Sequence, residues 1–239
     1  LANNEIIAQS TSSNYSVYGI NLNNSPHYYV YNNSIFSKSN NNLARGIYVR
    51  GSNNKAFCDI EYNNIMVQGK EIAYALYIDD TNNVYGKIDY NNYFTNSKYL
   101  GFIQSEKTSL KEMQKYQNAN STNENPYFEN PEYSLVLPDT VLLLCPRNDS
   151  VLTDIQGNNR NIVTNKGAYT FSILSSDLAL QNLEVQNTIA GNTSKAVLTV
   201  KNIGQNNIDT LIYQMELNGV IILQDTINQT IPFLSTETI

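Results

Sequence analysis

Residues able to do chemistry are sparse in this chain, and their types exclude more than they suggest. The single histidine, His27, follows Pro26 and reads as a solvated turn residue. One imidazole rules out a multi-histidine metal site and leaves a Ser/His/Asp triad without support. Two cysteines, Cys58 and Cys145, are too few for a thiolate zinc site or a disulfide framework. Cys58 shares the parity of Ile60 and is expected to be a small buried hydrophobe. Whether it bridges to Cys145 depends on geometry. No glycine-rich phosphate loop occurs. Glu61 and Asp89 fall on one outward line and are expected to be plain surface carboxylates rather than an acid pair. Asp149, Asp154 and Asn158 offer oxygen ligands, but their spacing fits a turn cap better than a calcium loop.

The elements that must carry these residues are foreshadowed by composition. Of 239 residues only 15% are charged, with 15 basic and 21 acidic side chains and a net charge of -6. An average soluble protein is about 25% charged. Neutral amides replace the missing charge: there are 38 asparagines, with 18 tyrosines and no tryptophan. The acidic balance and the lack of basic runs argue against nucleic acid or an anionic membrane as a partner. No apolar run approaches the roughly 20 residues of a bilayer span. The chain opens at Leu1-Ala2 without an initiator Met and reads as a segment of a longer polypeptide.

An internal repeat organises the first two thirds. Asparagine doublets recur at Asn3-Asn4, Asn32-Asn33, Asn63-Asn64 and Asn91-Asn92, with steps of 29, 31 and 28 residues. Tyr31, Tyr62 and Tyr90 precede the last three. Ile6, Ile35, Met66 and Phe94 stand three places after each first Asn. A second line runs through Gly19-Ile20-Asn21-Leu22, Gly46-Ile47-Tyr48-Val49 and Ala75-Leu76-Tyr77-Ile78. Each repeat holds short period-2 segments between Asn/Gly/Ser turns, so it predicts a strand–turn–strand coil. A lone coil cannot bury its inner face, so coils must stack, about 4.8 Å apart. Asparagine suits the corner because it tolerates the left-handed backbone region. Its amide can also bond to the asparagine of the next coil, so Asn32, Asn33, Asn63, Asn64, Asn91 and Asn92 are expected to form a ladder. From the pleat, Tyr29, Ile60 and Ile88 should point inward and Val30, Glu61 and Asp89 outward. Ile47, Val49, Leu76 and Ile78 should also point inward, leaving Asn21, Tyr48 and Tyr77 as an outward column.

The doublet corner and its spacing resemble the right-handed parallel β-helix of pectate-lyase-like proteins. Ser109-Leu110-Lys111-Glu112-Met113-Gln114, Asn125-Pro126-Tyr127-Phe128 and Tyr133-Ser134-Leu135 are similar to the exit segment of bacterial β-helix proteins. Thr153-Asp154-Ile155-Gln156-Gly157-Asn158-Asn159-Arg160 and Gly167-Ala168-Tyr169 resemble their closing motif. Met113 departs from the usual Trp, and Leu137-Pro138-Asp139 to Cys145-Pro146 departs from the usual linker. Ser109 to Gln117 is the one helical candidate, expected to cap the stack. The resemblance implies an all-β chain in which 1–172 is the C-terminal part of a parallel β-helix with its cap.

After Phe171 the texture changes. Ala196 to Asn202 reads as a strand, and Leu211-Leu217, Asn218-Gly219 and Val220-Leu223 as a hairpin, because Asn-Gly between apolar strands is the strongest short hairpin signal. Asp177-Leu178-Ala179-Leu180, Thr199-Val200-Lys201-Asn202 and Leu217-Asn218-Gly219 resemble the bacterial modules called CARDB. Residues 173–239 are therefore expected to be an incomplete immunoglobulin-like sandwich.

In β-helix lyases the substrate lies on the outward side of one sheet. The matching face here carries Tyr48, Tyr77, Arg50, Asp79 and Asp80. On that resemblance the tyrosines would stack on sugar rings, Arg50 would pair with a uronate carboxylate, and Asp79-Asp80 would hold Ca2+, the one cofactor for which residues are at hand. No catalytic motif of that family is present. The reading is a secreted or cell-surface, non-catalytic bacterial module: an adhesin or stalk whose partners are a polysaccharide, a cell-surface glycan or other surface proteins. The alternatives are a fragment of a polysaccharide lyase or glycoside hydrolase with its active site in upstream coils, and a structural filament or surface motility component.

Overall fold

A computed structural model gives the fold. It describes the chain except residues 13–14, 24–26, 41–42, 51–55, 71, 80–83, 139–140, 142, 172–175, 187–194 and 205. The chain is all-β and divides into two compact units, Leu1–Phe171 and Ser172–Ile239. No helix among the described residues is long and apolar enough to cross a membrane.

In the first unit each repeat gives one strand to each of three parallel sheets. Sheet I holds Glu5–Ser10, Ser34–Ser39, Asn64–Gly69 and Asn92–Thr95. Sheet II holds His27–Tyr31, Ala56–Glu61 and Ile88–Asp89, with Val84–Tyr85 alongside. Sheet III holds Val17–Asn23, Ala44–Arg50, Ala73–Ile78 and Gly101–Ile103, ending in an antiparallel strand, Ser105–Lys107. Residues of all three sheets meet in one core that includes Ile35, Ile47, Ile60, Ile65 and Leu76. Where sheets I and III converge, a Cβ on Gly46 would sit 2.3 Å from Ile65 Cγ2 and 2.6 Å from the Ala75 carbonyl. No Cβ fits that approach, so glycine is required there.

Register is set by one line of buried amides. Asn4 Nδ2 donates to Asn33 Oδ1, Asn33 Nδ2 to Asn63 Oδ1, and Asn63 Nδ2 to Asn91 Oδ1, each at 2.9 Å. Each of these acceptor oxygens also takes the backbone N–H of the asparagine before it, at 3.0–3.1 Å. The line ends where Asn91 N donates to Ser121 Oγ at 3.1 Å. Asn92 Nδ2 donates to Asn64 Oδ1 beside it.

This register differs by one residue from a doublet-on-doublet alignment. The ladder steps are 29, 30 and 28 residues, so Asn33 faces Asn63, the first member of the next doublet. The left-handed corner position is then Asn3, Asn32, Tyr62 and Tyr90, with φ between 51° and 63°. Tyrosine replaces asparagine there in two coils, and the Tyr62 and Tyr90 rings stack at 5.1 Å. Tyr31 stands elsewhere, opposite Glu61, and its hydroxyl donates to Asp59. In sheet I the inner column becomes Ile6, Ile35, Ile65 and Tyr93, while Ile7, Phe36, Met66 and Phe94 face outward. Sheet II is corrected in the same way. Val30 is 1% exposed and aligns with inward Ile60, whereas Tyr29 is 51% exposed. A slip of one residue reverses every face of a strand.

The last coil is closed by chain that folds back on it. Leu110–Met113 forms one helical turn and Gln114–Tyr116 a 3-10 turn, with Met113 in the core. Phe128 and Leu135 cover the outward Phe36 and Met66 of sheet I. Arg160, 2% exposed, donates to the carbonyls of Thr153, Asn165, Gly167 and Ala168 and to Asn3 Oδ1. Glu61 and Asp89 are consequently not surface carboxylates: they are 6% and 8% exposed. Lys87 pairs with Glu61 at 2.6 Å, and Asn120 donates to both Asp89 oxygens.

The second unit has an antiparallel sheet of Leu178–Gln186, Lys195–Asn202 and Thr236–Thr238, and a hairpin of Leu211–Leu217 and Val220–Ile227. Asn218 and Gly219 turn the hairpin at φ 52° and 81°, a backbone these two residues accept at little cost. Leu180, Leu183, Val185, Ile212 and Val220 to Leu223 are exposed.

The ladder carries a measurable share of stability. Asn63→Ala strips partners from two N–H donors and removes the donor that serves Asn91, so urea unfolding is expected to show a loss of about 3 kcal/mol. Asn32 is buried with neither amide atom partnered and has φ 51°. Asn32→Gly is expected to cost no more than about 1 kcal/mol in urea unfolding, because glycine accepts that φ, no side-chain bond is lost and an unpartnered buried amide is removed.

Candidate functional site

The outward face of sheet III follows the alternation read from its sequence. Asn21, Tyr48, Tyr77 and Phe102 align in register, as do Tyr18, Arg45 and Tyr74 one column over. Parallel pairing brings equivalent side chains within a coil spacing, so the rings touch. Tyr18 and Tyr48 lie 5.4 Å apart, Tyr48 and Tyr77 5.5 Å, and Tyr77 and Phe102 4.5 Å at an interplanar angle of 12°. Tyr74 meets Tyr77 edge-on at 5.2 Å and stacks on Tyr99 at 6.0 Å.

Arg45 runs through this cluster. Its guanidinium carbon is 4.4 Å from the Tyr77 ring centre, 5.1 Å from that of Tyr48 and 5.2 Å from that of Tyr18. Nη1 donates to the Tyr18 hydroxyl at 2.8 Å. A partly desolvated guanidinium over aromatic faces contributes roughly 1–2 kcal/mol and fixes the ring tilts. The ridge is therefore rigid and half-buried, with apolar ring surface and a delocalised cation side by side.

Arg50 and Asp79 stand at its margin. Arg50 Nε lies 3.6 Å from Asp79 Oδ2, which also accepts the Tyr48 hydroxyl at 3.3 Å. Burial first, and then the Asp79 charge, push the Tyr48 phenol up, so it stays a neutral donor. An acidic ligand would have to compete with Asp79 for Arg50. Asp80 lies outside the described residues. Among those described, no three His, Cys, Asp or Glu side chains come together as a metal site. Sequence reasoning reached Tyr48 and Tyr77 but missed Arg45, Tyr18, Tyr74 and Phe102. Phe102 was legible, since Gly101-Phe102-Ile103 repeats the pattern of Leu76-Tyr77-Ile78.

Other reactive side chains serve structure. Cys58 and Cys145 are free and buried, and burial pushes both thiols up to about 12. Asp149 pairs with Arg147, whereas Asp154 caps a turn. Burial alone would raise the Asp154 carboxyl, but N–H donors from Thr170, Asn158 and Gln156 outweigh it and hold the pKa below the usual value. His27 packs on Phe57 at 6.0 Å at the start of its strand. Compared with protein families, curated proteins and solved structures, the chain matches none.

Lys166 is a buried cation with a lowered pKa. It is 1% exposed and donates to Thr122 Oγ1 at 2.9 Å and to the Asn120 carbonyl at 3.5 Å. Burial pushes its ammonium from 10.5 down to about 8. Between those values the unfolded chain binds the proton and the fold does not, so this lysine makes stability rise with pH across that window. Below it the full cost of the buried charge is present. Lys166→Met should remove this rise: the stability of wild type relative to the variant is expected to grow by about 2 kcal/mol from pH 7.5 to pH 10 in urea titrations. An unchanged difference would show that Lys166 does not titrate there.

Proposed function

We propose that the chain is a non-catalytic module of a larger bacterial surface protein and binds carbohydrate on the outward face of sheet III. On this reading residues 1–172 are the last coils of a right-handed parallel β-helix with its cap. Residues 173–239 belong to a CARDB-like immunoglobulin-like sandwich. Three parallel sheets fed in turn by each repeat support the first assignment. The Asn218-Gly219 hairpin and the apolar strand faces left exposed in the second unit support the other.

The observation that carries the binding reading is the continuous ridge of Tyr18, Tyr48, Tyr77 and Phe102 with Arg45 lying across it. The rings lie against one another and against Arg45, so the ridge offers a sugar chain a row of apolar ring edges at the coil spacing. The cation and the phenol hydroxyls supply polar contacts at the edges. A non-catalytic role agrees with the electrostatics, because Asp79 is held by Arg50 and Tyr48 rather than poised as a base. The same ridge would serve an adhesin or a stalk at a cell surface.

Glycan-array binding of wild type against a Tyr48→Ala/Tyr77→Ala variant tests this. Loss of array signal with a retained melting transition is expected. Full retention of signal in the double variant would remove the ridge as a binding surface. Loss of melting temperature without any change in binding would assign it to packing alone.

A further inference from the structure

A second candidate site lies on sheet I, away from the aromatic ridge. The outward face of this sheet changes character along its strands. Its first half is the apolar column Ile7, Phe36, Met66 and Phe94, packed under Phe128, Leu135 and Leu137. Two residues further on, the same face carries Gln9, Lys38 and Gln68 in register, with Asn96 following the last strand. The covering segment stops at this boundary. Its Glu132 forms an ion pair with Lys38, and its carbonyl accepts from Gln9 Nε2 at 3.2 Å. Beyond it opens a cleft of about 420 Å3, lined by Lys38, Asn40, Gln68, Lys70 and Asn96 among others. That volume falls in the range of small-ligand sites.

The lining has one consistent chemistry. Among the described residues it holds two ammonium groups and three carboxamides from successive coils, and no aromatic ring or guanidinium. A planar carboxylate is best met by the fork of an arginine. Lysines act as point charges that approach from separate directions, and a sulfate or phosphate ester offers them three oxygens where a carboxylate, such as Glu132 on Lys38, offers two. The two lysines are also conspicuous in a chain with a net charge of -6. Lys38 and Glu132 are each more than a third exposed, so their ion pair is weak enough for a better anion to displace.

We propose that this cleft binds the sulfate or phosphate ester of a sugar or polyol chain, with Lys38 and Lys70 converging on the oxyanion and the Gln68 and Asn40 amides on neighbouring hydroxyls. The site is independent of the sheet III ridge and stands or falls separately from it.

Isothermal titration of the whole chain tests the proposal, with a sulfated heparin tetrasaccharide, glycerol phosphate, and a hyaluronan tetrasaccharide that carries carboxylates only. Binding of the first, the second or both supports the site and names the source of the oxyanion. Lys70→Gln is expected to weaken binding about tenfold, the scale of one charge-assisted hydrogen bond. Glu132→Gln frees Lys38 and is expected to tighten binding about threefold, the scale of an exposed ion pair. The titrations are run in a Tyr48→Ala/Tyr77→Ala background, which removes heat from the sheet III ridge, so that the failure of either site shows separately. Three results would overturn the proposal: no binding of either ester, hyaluronan binding as tightly as the esters, or an unchanged affinity in Lys70→Gln at an unchanged melting temperature.

Discussion

A single line of buried asparagine amides sets the geometry of the first unit. Asn33, Asn63 and Asn91 have no exposed surface, yet each side-chain oxygen accepts two N–H groups from the coil before. A buried amide without such partners would cost a few kcal/mol. A coil displaced by one residue would lose these bonds and turn its apolar column to solvent. Polar satisfaction and hydrophobic burial therefore select the same register.

The uneven repeat lengths are absorbed outside this line. Steps of 29, 30 and 28 residues keep the ladder intact. The residue just before each ladder asparagine changes instead from Asn to Tyr, at an unchanged left-handed φ. A non-glycine residue other than Asn or Asp at that φ is unfavourable. Stacking of Tyr62 on Tyr90 and burial under the closing segment offset that cost; Gly167 N donates to the Tyr62 carbonyl at 2.7 Å. The closing segment also buries Lys166, Arg160 and Cys145, and Arg160 donates to Asn3 Oδ1 at the first of these corners.

Common register across coils gives each outward face a columnar chemistry. On sheet III the columns are aromatic with one arginine among them; on sheet I they pass from apolar to amide and lysine within two residues. Both candidate sites are thus made of side chains about 29 residues apart in sequence. The ridge is built on strands alone, whereas the cleft adds Asn40, Lys70 and Asn96 from the turns that follow the strands of sheet I.

How much of this was legible follows from what period-2 alternation can and cannot encode. In sheet III, Gly19-Ile20-Asn21-Leu22 and its two copies predicted the inward and outward residues, because a small residue and two branched ones anchor the phase. The asparagine doublets announced a repeating corner and an amide ladder, but a doublet has two members and does not say which one bonds. That ambiguity misplaced Tyr29, Val30, Met66 and Phe94 by one residue. The fate of Glu61 and Asp89 was beyond local pattern altogether, since Lys87 of the next coil pairs with the one and Asn120 with the other. Local sequence determined the all-β character, the coil length and the Tyr48–Tyr77 column, since these depend on near neighbours and a short period. Only the tertiary structure decided the ladder register, the Arg45 crossing and the cleft at Lys38 and Lys70, since these depend on which distant segment covers which half of a sheet.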